Sequence, residues 1–304
     1  MIIPKKQSDT ANCTFNWTFF RAARHGLQAI LEHESASRGK ILLPAYIGYS
    51  SHEGSGVFDP VRNVGTPYLF YRLTTDLQIN FDDLTTTIQE NPGAILLLIH
   101  YFGFQDKRLA EIKEIARANN MLIVEDFAHA FFTFWQTQEI TFDYGIFSLH
   151  KLFPLADGGA LLSKTPWPYP TGISYDLLRY NFKAIAEKRR ANSLLVLDKL
   201  VPLIKNGLPV RLLHDSLGHN VPHSFPLLLN SESLRDELYF RLNEAGFGLV
   251  SLYHELIKEI DASFDIEHGI ARHIINIPIH QDVDPAGLVQ LLDIVLDRIN
   301  DFSR

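Results

Sequence analysis

Through the first half of the chain, short apolar runs alternate with stretches whose apolar positions recur three and four residues apart. Ile41–Leu42–Leu43 stops at Pro44, and Ala94–Ile95–Leu96–Leu97–Leu98–Ile99 follows the turn residues Asn91–Pro92–Gly93. Between residues 107 and 120, Leu109, Ile112, Ile115 and Ala116 share one helical face, and Met121–Leu122–Ile123–Val124 then predicts a strand stopping at Glu125–Asp126. Short continuous apolar strands of this kind belong to a parallel sheet covered on both faces. Strand, helix and strand within about 30 residues make a βαβ unit. The pattern predicts an α/β protein with a mostly parallel sheet between helices.

Further on, Ile146–Phe147 and Ala160–Leu161–Leu162 read as strands flanking a turn at Gly158–Gly159, and Pro166–Trp167–Pro168–Tyr169–Pro170 is too stiff for a regular element. A long helical stretch covers roughly residues 174–206. The remainder changes character: a strand at Phe225–Leu229, a helix from Leu234 to Ala245 closed by Gly246, strands near Gly248–Tyr253 and Ile274–Ile279, and a helix from Pro285 to about Ile299. That order predicts a small C-terminal α+β domain. The boundary falls between residues 208 and 224, giving a large domain over 1–215 and a small one over 216–304.

Composition narrows the function classes. The 304 residues are 46% hydrophobic and 21% charged with a formal charge of −7, near globular averages and without a basic block, which argues against nucleic-acid binding. Cys13 is the one cysteine, so neither an internal disulfide nor a thiolate metal site can form; His219 and His223 are split by Pro222, which spoils a helical metal pair. No metal site is expected. Pro4, Lys5 and Lys6 stand where a signal peptide would be apolar, and Ala94–Ile99 is far shorter than the ~20 residues a bilayer requires. A soluble, cytoplasmic protein is expected, with no membrane partner.

Chemistry concentrates in two segments. In Val124–Glu125–Asp126–Phe127–Ala128–His129–Ala130, Asp126 stands at a strand end, where open parallel sheets bind ligands. In Phe147–Ser148–Leu149–His150–Lys151–Leu152–Phe153, a lysine directly follows a strand in apolar surroundings. Desolvation among Phe147, Leu152 and Phe153 would disfavour its charge and make the amine a better nucleophile toward an aldehyde. Such a lysine can hold pyridoxal 5′-phosphate (PLP) as a Schiff base, a chemistry that also requires a carboxylate for the pyridinium nitrogen. Asp126 can supply it, and Ser148 with backbone amides can bind the phosphate.

These segments resemble the DegT/DnrJ/StrS-type sugar aminotransferases, PLP enzymes of the aspartate-aminotransferase-like fold. Ile41–Tyr46, Asp76–Asn80, His100–Gly103, Phe225–Leu227 and Ile277–His280 extend the likeness over roughly residues 18–300. The resemblance implies a large PLP-transferase-like domain and a position-by-position site. Lys151 matches the Schiff-base lysine and proton shuttle, Asp126 the pyridine partner, His129 the residue against the ring, and Ser148 the phosphate serine. Ala23–Arg24–His25 falls at the helix start that binds the phosphate, and Tyr46 or Tyr49 would stack on the ring. The implied reaction moves an amino group from a donor such as glutamate to a keto group, on a nucleotide-linked sugar, within a homodimer.

Departures bear on the substrate. Only Leu149 and His150 separate Ser148 from Lys151, shorter than the family's usual spacing; the partner-subunit loop has no clear counterpart beyond Tyr180–Asn181, although Lys188–Asn192 resembles the helix that follows it. The alternative readings are a PLP-dependent sugar dehydratase, with His150 in the lysine's place, and a silent PLP-fold protein that binds ligands or regulates. Counting back from Asp157–Gly158–Gly159 puts Lys151, not His150, at the catalytic position.

Overall fold

The apolar runs pair as expected. The structure, a computed structural model, describes residues 16–177 and 179–302; Cys13 and the first six residues lie outside them. In chain order the first part runs β1 (Asn16–Phe20), α1 (Ala23–Arg38), β2 (Ile41–Pro44), α2 (Phe58–Val64), β3 (Tyr68–Tyr71), α3 (Phe81–Glu90), β4 (Ile95–Ile99), α4 (Leu109–Ala118), β5 (Leu122–Asp126), α5 (Phe131–Thr137), β6 (Tyr144–Ser148) and β7 (Gly159–Ser163). They build a seven-stranded sheet in the order β1-β7-β6-β5-β4-β2-β3. β3, β2, β4, β5 and β6 are parallel, while β7 and β1 join antiparallel at one edge.

Both faces are covered, which is why the strands are apolar throughout rather than alternating. Leu96, Leu98, Ile123 and Phe127 bury into one core together with Ile112 and Ala116 of α4. Ile95, Leu97, Leu122 and Val124 face the other way, into a core shared with Leu27, Ile30 and Leu31 of α1. Fully burying a Leu or Ile side chain contributes about 1.5–3 kcal/mol, so the two-sided cover fixes the register of β4 and β5. As a result β2, β4, β5 and β6 end along one edge, at Pro44, Ile99, Asp126 and Ser148.

The second part runs α6 (Phe182–Lys205), β8 (Val210–Leu212), β9 (Ser224–Leu229), α7 (Glu232–Glu244), α8 (Asp265–His273), β10 (Ile274–Pro278) and α9 (Pro285–Phe302). Its antiparallel sheet, ordered β10-β9-β8, draws β8 from before residue 216. Leu234, Leu238 and Leu242 of α7 and Leu288, Leu292 and Val295 of α9 bury in the same core as β9. Residues 248–253, expected as a strand, are loop and turn instead, and just beyond them Leu256 bridges to Gly48 of the loop after β2. The helix α8, with few apolar positions, was not expected from the pattern.

The two parts are tied where the chain passes Tyr101–Gly103. His223 N donates to Phe102 O at 2.7 Å, and Val221 N and Gly103 O share the Thr133 hydroxyl at 2.9 and 2.6 Å. A Cβ on Gly103, at φ 96°, would stand 2.7 Å from Val221 O, so only glycine admits this crossing.

Candidate active site

The carboxyl edge of the parallel strands opens onto a cleft of about 210 Å³ that includes Asp126, His129, Ser148, Lys151 and the α1 start. A larger groove of about 510 Å³ beside β8 and α8 contains neither a carboxylate nor a lysine, so chemistry rather than size selects the first. Asp126 is the last residue of β5 and buried; Ala128 N donates to its Oδ1 at 2.7 Å. Lys151 lies in the turn between β6 and β7, where Leu152 N and Phe153 N bond to Leu149 O at 3.0 and 2.9 Å. Its amine reaches inward to stand 3.1 Å from His129 Nε2.

The surroundings expected for Lys151 differ in detail. Phe147, Leu152 and Phe153 turn into the core, whereas Lys151 itself is exposed and faces the cleft. Removal from bulk water nevertheless holds its amine below the usual lysine pKa, with Arg24 adding to that effect and Asp126 and Glu53 opposing it. Burial pushes the Asp126 carboxyl up, against the Ala128 amide and the nearby Lys151 and His100. A raised carboxyl seeks a proton or a cation to share, which suits it to a pyridine nitrogen. His129 is held well below the usual imidazole value by burial, then by Lys151 and His223, and stays neutral. His223 stacks on it at 4.6 Å with planes at 9°.

The far side of the cleft is the start of α1. Ala22 has no side chain to cap it, and the first turn, Ala23 and Arg24, lines the cleft with Ser148. Free amides and the helix dipole suit an anion there. Gly159 makes this approach possible: a Cβ at that position would stand 2.2 Å from Ala22 C and 2.4 Å from Ala23 N. Arg24 adds a cation, tethered by a 2.6 Å bond to Glu53 O and 3.8 Å from Asp59 Oδ2.

The structure therefore gathers Lys151, Asp126, His129, Ser148, Ala23, Arg24 and Tyr49 on one cleft. Two residues named from the sequence are not on its lining. His25, the third residue of α1, is exposed off the lining, and Tyr46 is fully buried with its ring stacked on Tyr253. Tyr253, Glu53, Gly48 and His100 line the cleft without having been singled out for it. Arg189 and Arg190 act as a clamp: buried Arg189 donates to Gln281 Oε1 at 3.0 Å and His223 O at 3.2 Å, and Arg190 to Asn220 O at 2.6 Å. The amine, the carboxylate and the glycine-walled anion site together fit PLP.

The sheet and its flanking helices have the fold of solved PLP aminotransferases. Residues 56–167 match the model of the DegT/DnrJ/EryC1/StrS aminotransferase family, a segment that includes Asp126, His129, Ser148 and Lys151. The match covers a little over a third of the chain, the part that carries the amine and the carboxylate of the cleft. No curated protein matches the chain. Solved structures show the same fold. DesV from S. venezuelae, in complex with a ketimine intermediate, is 17% identical with a TM-score of 0.72 over 93% of this chain and 84% of its own. Spr1654 from Streptococcus pneumoniae in its PLP form is 14% identical, TM-score 0.71, over 94% and 87%. PseC from Helicobacter pylori, an aminotransferase involved in the biosynthesis of pseudoaminic acid, is 14% identical, TM-score 0.70, over 94% and 87%.

Proposed function

We propose that the protein is a PLP-dependent aminotransferase that takes an amino group from a donor such as glutamate and delivers it to a keto group of a nucleotide-linked sugar. The observation that carries this reading is one cleft shared by an inward amine of depressed pKa, Lys151, and a buried carboxylate, Asp126. PLP, when bound, supplies an electron sink that makes the donor's Cα proton removable. Lys151 Nζ is the group that would hold the cofactor's aldehyde carbon and then, once released, take that proton as general base. Asp126 is the carboxylate that would keep a proton on the ring nitrogen. Neutral His129, 3.1 Å from Lys151 Nζ, orients the amine without adding a competing charge. Ser148 and the α1 start would hold the phosphate.

The sugar acceptor is supported by the family match and by the named roles of neighbours such as PseC. The homodimer rests on the family resemblance, and the cytoplasmic location on the lack of a signal-like or bilayer-length apolar stretch in the sequence. Among the described residues no helix is long and apolar enough to cross a membrane. The test is direct: purified protein loaded with PLP should absorb in the visible, lose that band on adding glutamate, and carry a borohydride-fixed adduct on Lys151 by peptide mass spectrometry. A colourless protein without the adduct would leave the silent-homologue reading standing. Colour that no amino donor changes would favour the dehydratase.

A further inference from the structure

The segment 251–257 leaves the second sheet and docks on the loop after β2. Tyr49 N donates to Glu255 O at 2.9 Å, Ile257 N to Ile47 O at 3.0 Å, and Asn276 Nδ2 of β10 to Leu252 O at 3.1 Å. Between these fixed points Tyr253 adopts φ 60°, a left-handed conformation disfavoured for a bulky side chain. Packing holds it there. Its ring stacks on Tyr46 at 5.0 Å with planes at 22°, and meets Tyr101 at 5.4 Å and Phe102 at 5.6 Å edge-on. The same residue lines the cleft with Asp126, His129 and Lys151.

Gly48 shows that this placement excludes another. A Cβ on Gly48 would stand 3.0 Å from Tyr253 Cδ1 and 3.6 Å from its Cα. A large side chain at 48 and the tyrosine at 253 cannot occupy the site together. Tyr46, one candidate for the stacking aromatic, is buried behind Tyr253, and Tyr49 is half-exposed at the cleft. Position 48, on the cleft lining, is thus a glycine, and an aromatic ring from the distant segment fills the space beside it.

Resting on the reading of the cleft as a PLP site, we propose that Tyr253 is its aromatic wall, a binding residue delivered by the second part of the chain in place of a side chain at position 48. A planar heteroaromatic ring gains dispersion and quadrupole contact against such a wall, and Tyr46, Tyr101 and Phe102 keep the wall rigid. The ring, not the hydroxyl, is the working part.

The experiment titrates the apo-protein with PLP and follows binding by fluorescence, with circular dichroism and thermal melting to report folding. Y253L should weaken PLP binding about tenfold. Y253F should stay within about twofold of the native protein, and G48F/Y253A should bind more tightly than Y253A. G48A, which only pushes the ring, gives a milder second reading of a few-fold weaker affinity in a protein that stays folded. Native affinity in both Y253L and G48A overturns the proposal, as does a Y253F loss equal to that of Y253L. A native protein that takes up no PLP at all overturns the functional reading instead, so the two failures are told apart.

Discussion

Glu125 and Asp126 are consecutive residues of β5 with the same functional group, and their surroundings drive them in opposite directions. Glu125 points into the side covered by α4, where Oε2 lies 2.7 Å from His100 Nε2 and Oε1 lies 2.5 Å from Lys113 Nζ. Burial alone would push its carboxyl up, but the His100 hydrogen bond and the charges of His100 and Lys113 outweigh that and hold it below the ordinary value. Asp126 points to the cleft with one amide bond from Ala128, and burial wins, pushing it up. A carboxylate whose partners are all built into the fold serves the fold. One left short of a cation is set up to bind something.

The largest effects should come from the cleft. K151A removes the only lysine on the lining and should cut transamination by roughly 10²–10⁴-fold through lost proton transfer alone. D126N should also remove most of the activity while leaving the melting temperature equal or slightly higher, because an under-partnered buried charge is replaced by a neutral group. If D126N melts markedly lower than the native protein, the two carboxylates are not different in kind and the contrast fails.

The reverse outcome is expected one residue earlier. E125Q strands Lys113 and His100 in the interior and should cost about 3–5 kcal/mol in urea unfolding. The pH dependence carries a sign for each group. Glu125, depressed in the fold, binds its proton later than in the unfolded chain, so its stabilisation is present above the unfolded pKa and lost as pH falls through the folded one. Asp126, raised in the fold, contributes the opposite slope, the native state gaining relative stability on protonation. Acid unfolding of D126N should therefore be steeper than that of the native protein between about pH 5 and 3, and that of E125Q shallower.

Much of this site could be read from the sequence, and the exceptions have physical causes. β4 and β5 were legible because a strand covered on both faces is apolar at every position, so Ile95–Ile99 and Leu122–Val124 need no partner to be recognised. Asp126 and Lys151 were legible as a carboxylate and an amine at strand ends. The neighbours of Lys151 misled, since Leu152 and Phe153 turn into the core while the lysine turns to the cleft; adjacency in a turn does not mean a shared environment. Tyr46 and Tyr49 belong to a loop without periodicity, so no pattern could say which faced the cleft. Tyr253 was invisible because its position depends on long-range bonds, Glu255 to Tyr49 and Ile257 to Ile47. Gly48 was the local sign, a glycine between the two tyrosines considered for stacking.

A smaller effect sharpens the anion side of the comparison. G159A forces a methyl group against the backbone of Ala22 and Ala23, and overpacking of this kind costs about 1–3 kcal/mol. Because the atoms displaced are those of the α1 start, PLP affinity should fall together with the melting temperature. G65A is a control that separates strain from collision. Gly65 also has a positive φ, 74°, with nothing within 4 Å of its added Cβ, so it should lower stability while leaving PLP affinity unchanged.

The smallest effect tests whether burial, rather than pairing itself, makes Glu125 structural. Lys164 and Asp143 form an ion pair at 2.9 Å, close in length to the contacts of Glu125, but their side chains are 49% and 34% exposed. Water screens the attraction and competes for both groups, and exposed pairs of this kind contribute about 0–1 kcal/mol. Asp143 also accepts Ile123 N at 2.8 Å, so the informative substitution is K164A, which leaves that bond in place. Its unfolding free energy should fall by less than about 1 kcal/mol at low salt and match the native protein at high salt. A loss as large as that of E125Q would mean that pair geometry, not desolvation, sets the energy scale, and the distinction drawn between the two carboxylates of β5 would lose its physical basis.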